Sequence, residues 1–268
     1  MPAIQLTKLN KDLEEIFAYY YETEVFVDKI CSLYETYANY SLKSNSEIAL
    51  LKDIVSYNSP SLLTNQIVIS SKPLIFKYPD QAQVIIETFW EKKILDTRLL
   101  ASKLLCTLSE KFPNGVISII TKWCHPMPER FFVDVIFSNA ANHLIRKNSA
   151  VWNHQMVTWL SSSNVEDQTL GIIAANTSVN EPGFINLPPI FDNITSQCLI
   201  GHTQYFFDLQ SLLIMLAERS PKETLFFIRH LVGLGMTETT HKLLRKVVQT
   251  YPKNEQIAIK NLLKSALP

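Results

Sequence analysis

The sequence predicts an all-α protein, an α-solenoid of stacked helix pairs, and three observations carry that expectation. From Pro79 onward an apolar-periodic unit restarts every 31 to 39 residues, at Pro79-Asp80, Pro113-Asn114, Asn148-Ser149, Leu187-Pro188-Pro189, Pro221-Lys222 and Pro252-Lys253. Most restarts are followed by a second apolar-periodic segment, and one helix pair cannot bury its apolar faces without stacking on a neighbour. The composition, 47% hydrophobic and 10% aromatic with only six glycines, suits a well-packed helical chain and argues against disorder. The 268 residues read as one continuous domain, with less regular helices over 1–78 and regular helix pairs over 79–268.

Each element follows from its own pattern. Residues 10–39 carry helical faces built from Leu13, Ile16, Phe17, Tyr20, Val25, Val27, Ile30 and Leu33, interrupted near Thr23. Residues 44–47, Ser-Asn-Ser-Glu, offer a helix cap, and Ile48, Leu50, Leu51 and Ile54 follow as its buried stripe. Asn58-Ser59-Pro60 is a break. Residues 62–75 contain the β-branched run Ile67-Val68-Ile69, but helical neighbours on both sides favour a helix there. The array then reads as helices over 80–93, 96–112, 116–123 and 126–147. Further helices are expected over 151–160, 165–175, 190–199, 205–218, 222–232, 237–250 and 253–267, with a loop at 178–189 around Gly183 and three prolines.

Charge and cysteine use narrow the function classes. No apolar stretch approaches the roughly 20 residues of a membrane span. The opening residues, Met-Pro-Ala-Ile-Gln-Leu-Thr-Lys, lack a signal-peptide pattern. Cys31, Cys106, Cys124 and Cys198 are scattered without a CxxC pair, which reads as reduced core cysteines of a cytoplasmic protein. The net charge is zero but uneven. Residues 1–57 hold nine acids against five lysines, and residues 218–268 hold nine bases against four acids. Between Lys147 and Arg219 there is no lysine or arginine, which weakens a nucleic-acid role for those repeats.

Motifs of enzymatic chemistry are absent: no Gly-rich phosphate loop, HExxH, GxSxG or metal-spaced Cys/His cluster, so no cofactor or metal is expected. The histidines are isolated, and His125 and His143 read as structural or surface groups more readily than as ligands. Residues 126–147 repay closer reading. Their apolar stripe holds Phe132, Val135, Ile136 and Ala140, while Asp134 lies on another face, one turn after Arg130. Two readings stand: a surface Arg130–Asp134 pair, or a carboxylate facing a binding surface and able to orient water or stabilise a developing cation.

Three stretches resemble the AlkD-like DNA alkylation repair family of HEAT-like helical repeats. They are Phe89-Trp90 with Asp96-Thr97-Arg98-Leu99-Leu100-Ala101-Ser102-Lys103-Leu104-Leu105, the Val133-Asp134 helix ending His143-Leu144-Ile145-Arg146-Lys147, and 209–228 with Thr239-Thr240-His241-Lys242-Leu243-Leu244-Arg245. The resemblance spans most of the chain. It implies excision of cationic alkylated bases from double-stranded DNA held by its backbone, through an aspartate, two tryptophans and an arginine. The aspartate corresponds to Asp134, one tryptophan to Arg130, the arginine to a position near Gln168 and the second tryptophan to one near Met215. Only the carboxylate is kept. Neither Arg130 nor Met215 supplies an aromatic face for a cation, and the phosphate-clamping arginine is gone.

The resemblance therefore implies a DNA-binding, damage-recognising relative with weak or no glycosylase activity. Asp134 is its candidate catalytic residue, and Arg130, Arg146, Lys147, Arg229, Lys242, Arg245 and Lys246 are candidate backbone contacts. On the residues alone, these bases also fit a solvated basic face. Trp152 and Trp159, two turns apart, read as core more readily than as a base-stacking platform. A second reading is a repeat scaffold that binds a protein or peptide in its groove, motivated by the neutral charge and the acidic N-terminal segment.

Overall fold

The computed structural model describes residues 5–39, 54–235 and 237–265, and the regular structure among them is helical apart from one isolated parallel bridge, Val55 to Ile94. The cap expected at 44–47 and the stripe of Ile48, Leu50 and Leu51 lie outside the described residues. The chain divides into two compact units, 1–147 and 148–268. No helix among the described residues is long and apolar enough to cross a membrane.

The first unit contains α1 (Leu6–Phe17), α2 (Thr23–Thr36), α3 (Ser61–Lys77), α4 (Pro79–Glu91), α5 (Leu95–Leu108), α6 (Pro113–Trp123), α7 (Arg130–Ile136) and α8 (Asn142–Lys147). The expected interruption near Thr23 is the turn between α1 and α2. The ambiguous stretch at 62–75 is helical, with Pro73 inside the helix. Helix α5 is the centre of this unit. Leu100, Ala101, Leu104, Leu105 and Leu108 are buried, and α3, α4 and the end of α7 pack on it. Pro79 and Pro113 open their helices, where a missing N–H costs nothing and a fixed φ helps.

Two local expectations fail here for physical reasons. Ile54 is not in a helical stripe. The segment from Ile54 is extended, pinned by Leu95 N–H to Val55 O at 2.9 Å and by Asn39 N–H to Tyr57 O at 2.9 Å. The long helix expected over 126–147 starts only at Arg130, because Pro126 and Pro128 bias His125 and Met127 away from helical backbone. It is also not one α-helix. A π-helical turn, Phe137–Ala141, separates α7 from α8. Phe137, Ala140 and Ala141 of that turn are buried on α5, and Asn139 Nδ2 donates to Ser102 Oγ at 3.1 Å and to Val135 O at 3.0 Å. An extra residue per turn is thereby held by packing.

The second unit contains α9 (Ser149–Leu160), α10 (Val165–Asn180), α11 (Pro188–Asn193), α12 (Thr195–Ile200), α13 (Phe206–Arg219), α14 (Pro221–Leu234), α15 (Glu238–Val247) and α16 (Lys253–Ser265). Helix α10 packs on both α9 and α13. Its close approach to α9 depends on Gly171, where an added Cβ would lie 2.6 Å from Leu160 N. Asn164 caps α10 by accepting from Glu166 N–H at 2.7 Å, and Glu166 and Asp167 suit the positive end of the helix. Thr237 caps α15 in the same way through Thr240 N–H at 3.1 Å.

Trp152 and Trp159 are core residues. Both are buried edge-to-face at 6.1 Å, and Trp152 Nε1–H donates to Ser178 Oγ at 2.8 Å. The single helix expected over 190–199 is two short ones, joined at Ile194. The irregular stretch is shorter than expected, since α10 runs to Asn180. All four cysteines are free thiols, Cys124 and Cys198 buried and Cys31 and Cys106 half-buried.

Candidate functional site

The sequence-predicted residues fall on both units. In the first, Asp134 and Arg130 form an i,i+4 ion pair, with Arg130 Nε donating to Asp134 Oδ1 at 2.8 Å. Their side chains are 56% and 52% exposed, so the pair is at the surface. Arg146 and Lys147 end α8 and are exposed, where cations also complement the negative helix terminus. His125 Nδ1 lies 2.8 Å from Thr121 O. His143 is half-buried, and its Nε2 has no hydrogen-bond partner.

In the second unit, α15 separates its side chains by type. Leu243, Leu244 and Val247 are buried, and Lys242, Arg245 and Lys246 form an exposed stripe at i, i+3 and i+4. Lys242 pairs with Glu238 at 2.8 Å. Arg229 is exposed on α14. Across α14, α15 and α16 there are eight exposed lysines and arginines (222, 229, 242, 245, 246, 253, 260 and 264) against the three acids Glu223, Glu238 and Glu255. The ninth base of this region is spent differently. Arg219 donates to the carbonyls of Val179, Glu181, Pro182 and Phe184, and so ties down the loop that follows α10.

The chain matches no protein-family model, no curated protein and no solved structure. The site therefore has to be read from its own side chains. No group of three or more His, Cys, Asp or Glu among the described residues is placed to hold a metal ion.

Two clefts went unread in the sequence. One, of about 810 Å³ in the second unit, lies between the loop before α11, α11 itself and α14. Its walls include Ile185 and Phe226, 87% and 75% exposed, and its floor includes Phe227, which meets Phe191 at 5.4 Å. The other, of about 650 Å³ in the first unit, is built around stacked tryptophans. Trp90 of α4 and Trp123 of α6 lie face to face at 4.1 Å and 5°, and Phe132 of α7 meets Trp90 edge-on at 5.7 Å. The Arg98 guanidinium sits 4.9 Å from the Trp90 ring and 4.7 Å from that of Phe132. Trp90 and Arg98 stood out in the sequence, but Trp123 and Phe132 come from other helices with no periodic signal linking them.

Proposed function

We propose that this chain is a HEAT-like helical-repeat protein of the AlkD-like kind that binds double-stranded DNA by its backbone and does not excise bases. The observation that carries the binding is the exposed basic stripe of Lys242, Arg245 and Lys246 on α15, within helices that hold eight exposed bases against three acids. Such a surface suits phosphates, whose neutralisation releases condensed counterions without reading sequence. The repeat part of the reading is supported by helix starts at every expected restart, including Pro79, Pro113, Ser149, Pro188, Pro221 and Lys253.

What surrounds Asp134 supports the reading without excision. Its carboxylate is engaged by Arg130, and the positions matching the family's aromatic faces hold Arg130 and Met215. Neither Arg130 nor Met215 offers a ring to a cationic base there. Duplex binding measured against salt tests the proposal: affinity should fall linearly on logarithmic axes as salt rises. Negligible binding at low salt would reject it. Base release from alkylated duplex should stay at the uncatalysed rate.

A second reading, a scaffold that binds a protein or peptide, is favoured by the apolar cleft of the second unit, where Ile185 and Phe226 leave large apolar side chains in water. Its test is a Phe226→Glu variant, which should lose a captured peptide while keeping its affinity for duplex DNA.

A further inference from the structure

Arg98 is held as a binding residue would be. Its guanidinium lies over two rings, Trp90 at 4.9 Å and Phe132 at 4.7 Å, and its Nε donates to Trp90 O at 3.3 Å. Those contacts fix the plane of the guanidinium and use one of its three nitrogens. The two terminal nitrogens make no hydrogen bond or ion pair with the described residues, and Arg98 lines the 650 Å³ cleft. Burial pushes the guanidinium's pKa down, and Glu129 draws it back up from beyond ion-pair distance. A half-buried cation without a bonded counter-charge is costly, and an anion placed against it would recover that cost.

The geometry sets the class of anion. A planar fork whose two terminal nitrogens are unbonded among the described residues matches a carboxylate or a phosphate in bidentate fashion, and the ring contacts and the Nε bond already restrict the rotamers, which lowers the cost of binding. The surrounding charge then decides between them. Lys122 lines the cleft but is paired with Glu87, and the exposed Lys93 lines it together with Glu91 and Glu129, so these two carboxylates offset Lys93 and Arg98. One negative charge fits beside Arg98, and a dianion or polyanion would meet both carboxylates. The walls offered by Trp123, Pro126 and Met127 suit an apolar body.

We propose that this cleft binds a small organic acid, with its carboxylate held by the two terminal nitrogens of Arg98 and its apolar part lying against Trp123, Pro126 and Met127. The site lies in the first unit, and it stands or falls independently of the basic stripe on α15.

Intrinsic fluorescence reads the site directly, because Trp90 and Trp123 are two of only four tryptophans and both line the cleft. The probe is cyclohexanecarboxylate, with cyclohexanecarboxamide as its neutral counterpart and inorganic phosphate as the competing oxyanion. The carboxylate should give a saturable change, and the amide none. Arg98→Met should weaken the carboxylate at least ~10-fold, and Arg98→Lys should weaken it too, since an ammonium cannot reproduce the fork. Met127→Glu, which leaves the aromatic stack intact, should weaken it by repulsion and keeps the test decisive if the Arg98 variants do not fold. No saturable response to cyclohexanecarboxylate, equal binding of the amide, tighter binding of phosphate, or unchanged binding in folded Arg98→Met or Met127→Glu would each overturn the proposal.

Discussion

Ser59 is bound to Asp96 through two hydrogen bonds: its hydroxyl donates to Asp96 Oδ1 at 2.6 Å and its amide N–H donates to the same oxygen at 3.2 Å. The other carboxylate oxygen accepts from Ser56 Oγ at 2.9 Å and from Tyr57 N–H at 2.8 Å. Asp96, buried at the start of α5, therefore organises the extended segment that precedes α3.

Asp96→Ala strips the acceptor from four donors at once. Leaving buried donors unsatisfied costs about 1–3 kcal/mol each at the upper end, and water reaches some of these, so a loss of about 3 kcal/mol is expected. Urea unfolding with an unchanged m-value measures it. A loss below about 0.5 kcal/mol would contradict the clamp.

Arg219 makes the same kind of prediction in the second unit. It serves the carbonyl of Val179 in the last turn of α10 and three carbonyls of the loop that follows, those of Glu181, Pro182 and Phe184. Arg219→Met should raise the rate of limited proteolysis within residues 181–187, with cleavage elsewhere unchanged. Equal cleavage of both proteins would show that the loop holds itself.

Asp134 and Arg130 make the contrasting case. Their pair is more than half exposed, and exposed i,i+4 pairs contribute about 0.3–0.5 kcal/mol. Asp134→Asn should change stability by no more than that, and should leave base release from alkylated DNA at the background rate in both proteins. Loss of a measurable base-release activity on this substitution would make Asp134 catalytic.

His143 sets a pH dependence. Burial lowers its pKa below the ordinary value, the nearby Lys147, Lys72 and Arg146 add to this, and Glu110 opposes it. The unfolded chain then binds a proton at a higher pH than the folded one does. The full stability is therefore present above the unfolded value near 6.5 and is lost as pH falls from there towards the lower folded pKa. The urea midpoint of the parent should drop between pH 8 and pH 5.5 by more than that of His143→Gln. Parallel drops would remove the assignment.

The helix starts were legible because proline and small polar residues mark them by local chemistry. Pro79, Pro113 and Pro221 each open a helix where the restart was placed. The π-helical turn at Phe137–Ala141 was not legible, since it depends on how Ala140 and Ala141 pack on α5 and not on their own propensity. The split of 190–199 at Ile194 also escaped, although Gly201, with φ +59° at the end of α12, was a readable stop.

The candidate site divides along the same line. The stripe of Lys242, Arg245 and Lys246 sits on one helix, and helical spacing alone places it. The Arg98 cleft draws Trp90, Trp123 and Phe132 from three different helices, and nothing in the spacing of 90, 98, 123 and 132 brings them together. Tertiary packing makes that site.

The salt dependence of duplex binding tests whether the exposed basic stripe of α15 holds nucleic-acid backbone, as proposed. Fluorescence anisotropy of a labelled duplex should be followed from low to physiological salt for the parent and for the triple variant Lys242→Gln, Arg245→Gln, Lys246→Gln. The plot of log affinity against log salt should be a falling line for the parent, and the variant's slope should be shallower by about 2–3, close to one for each lost phosphate contact. Parallel lines for the two proteins, or a parent affinity that ignores salt, would rule out backbone binding by this stripe.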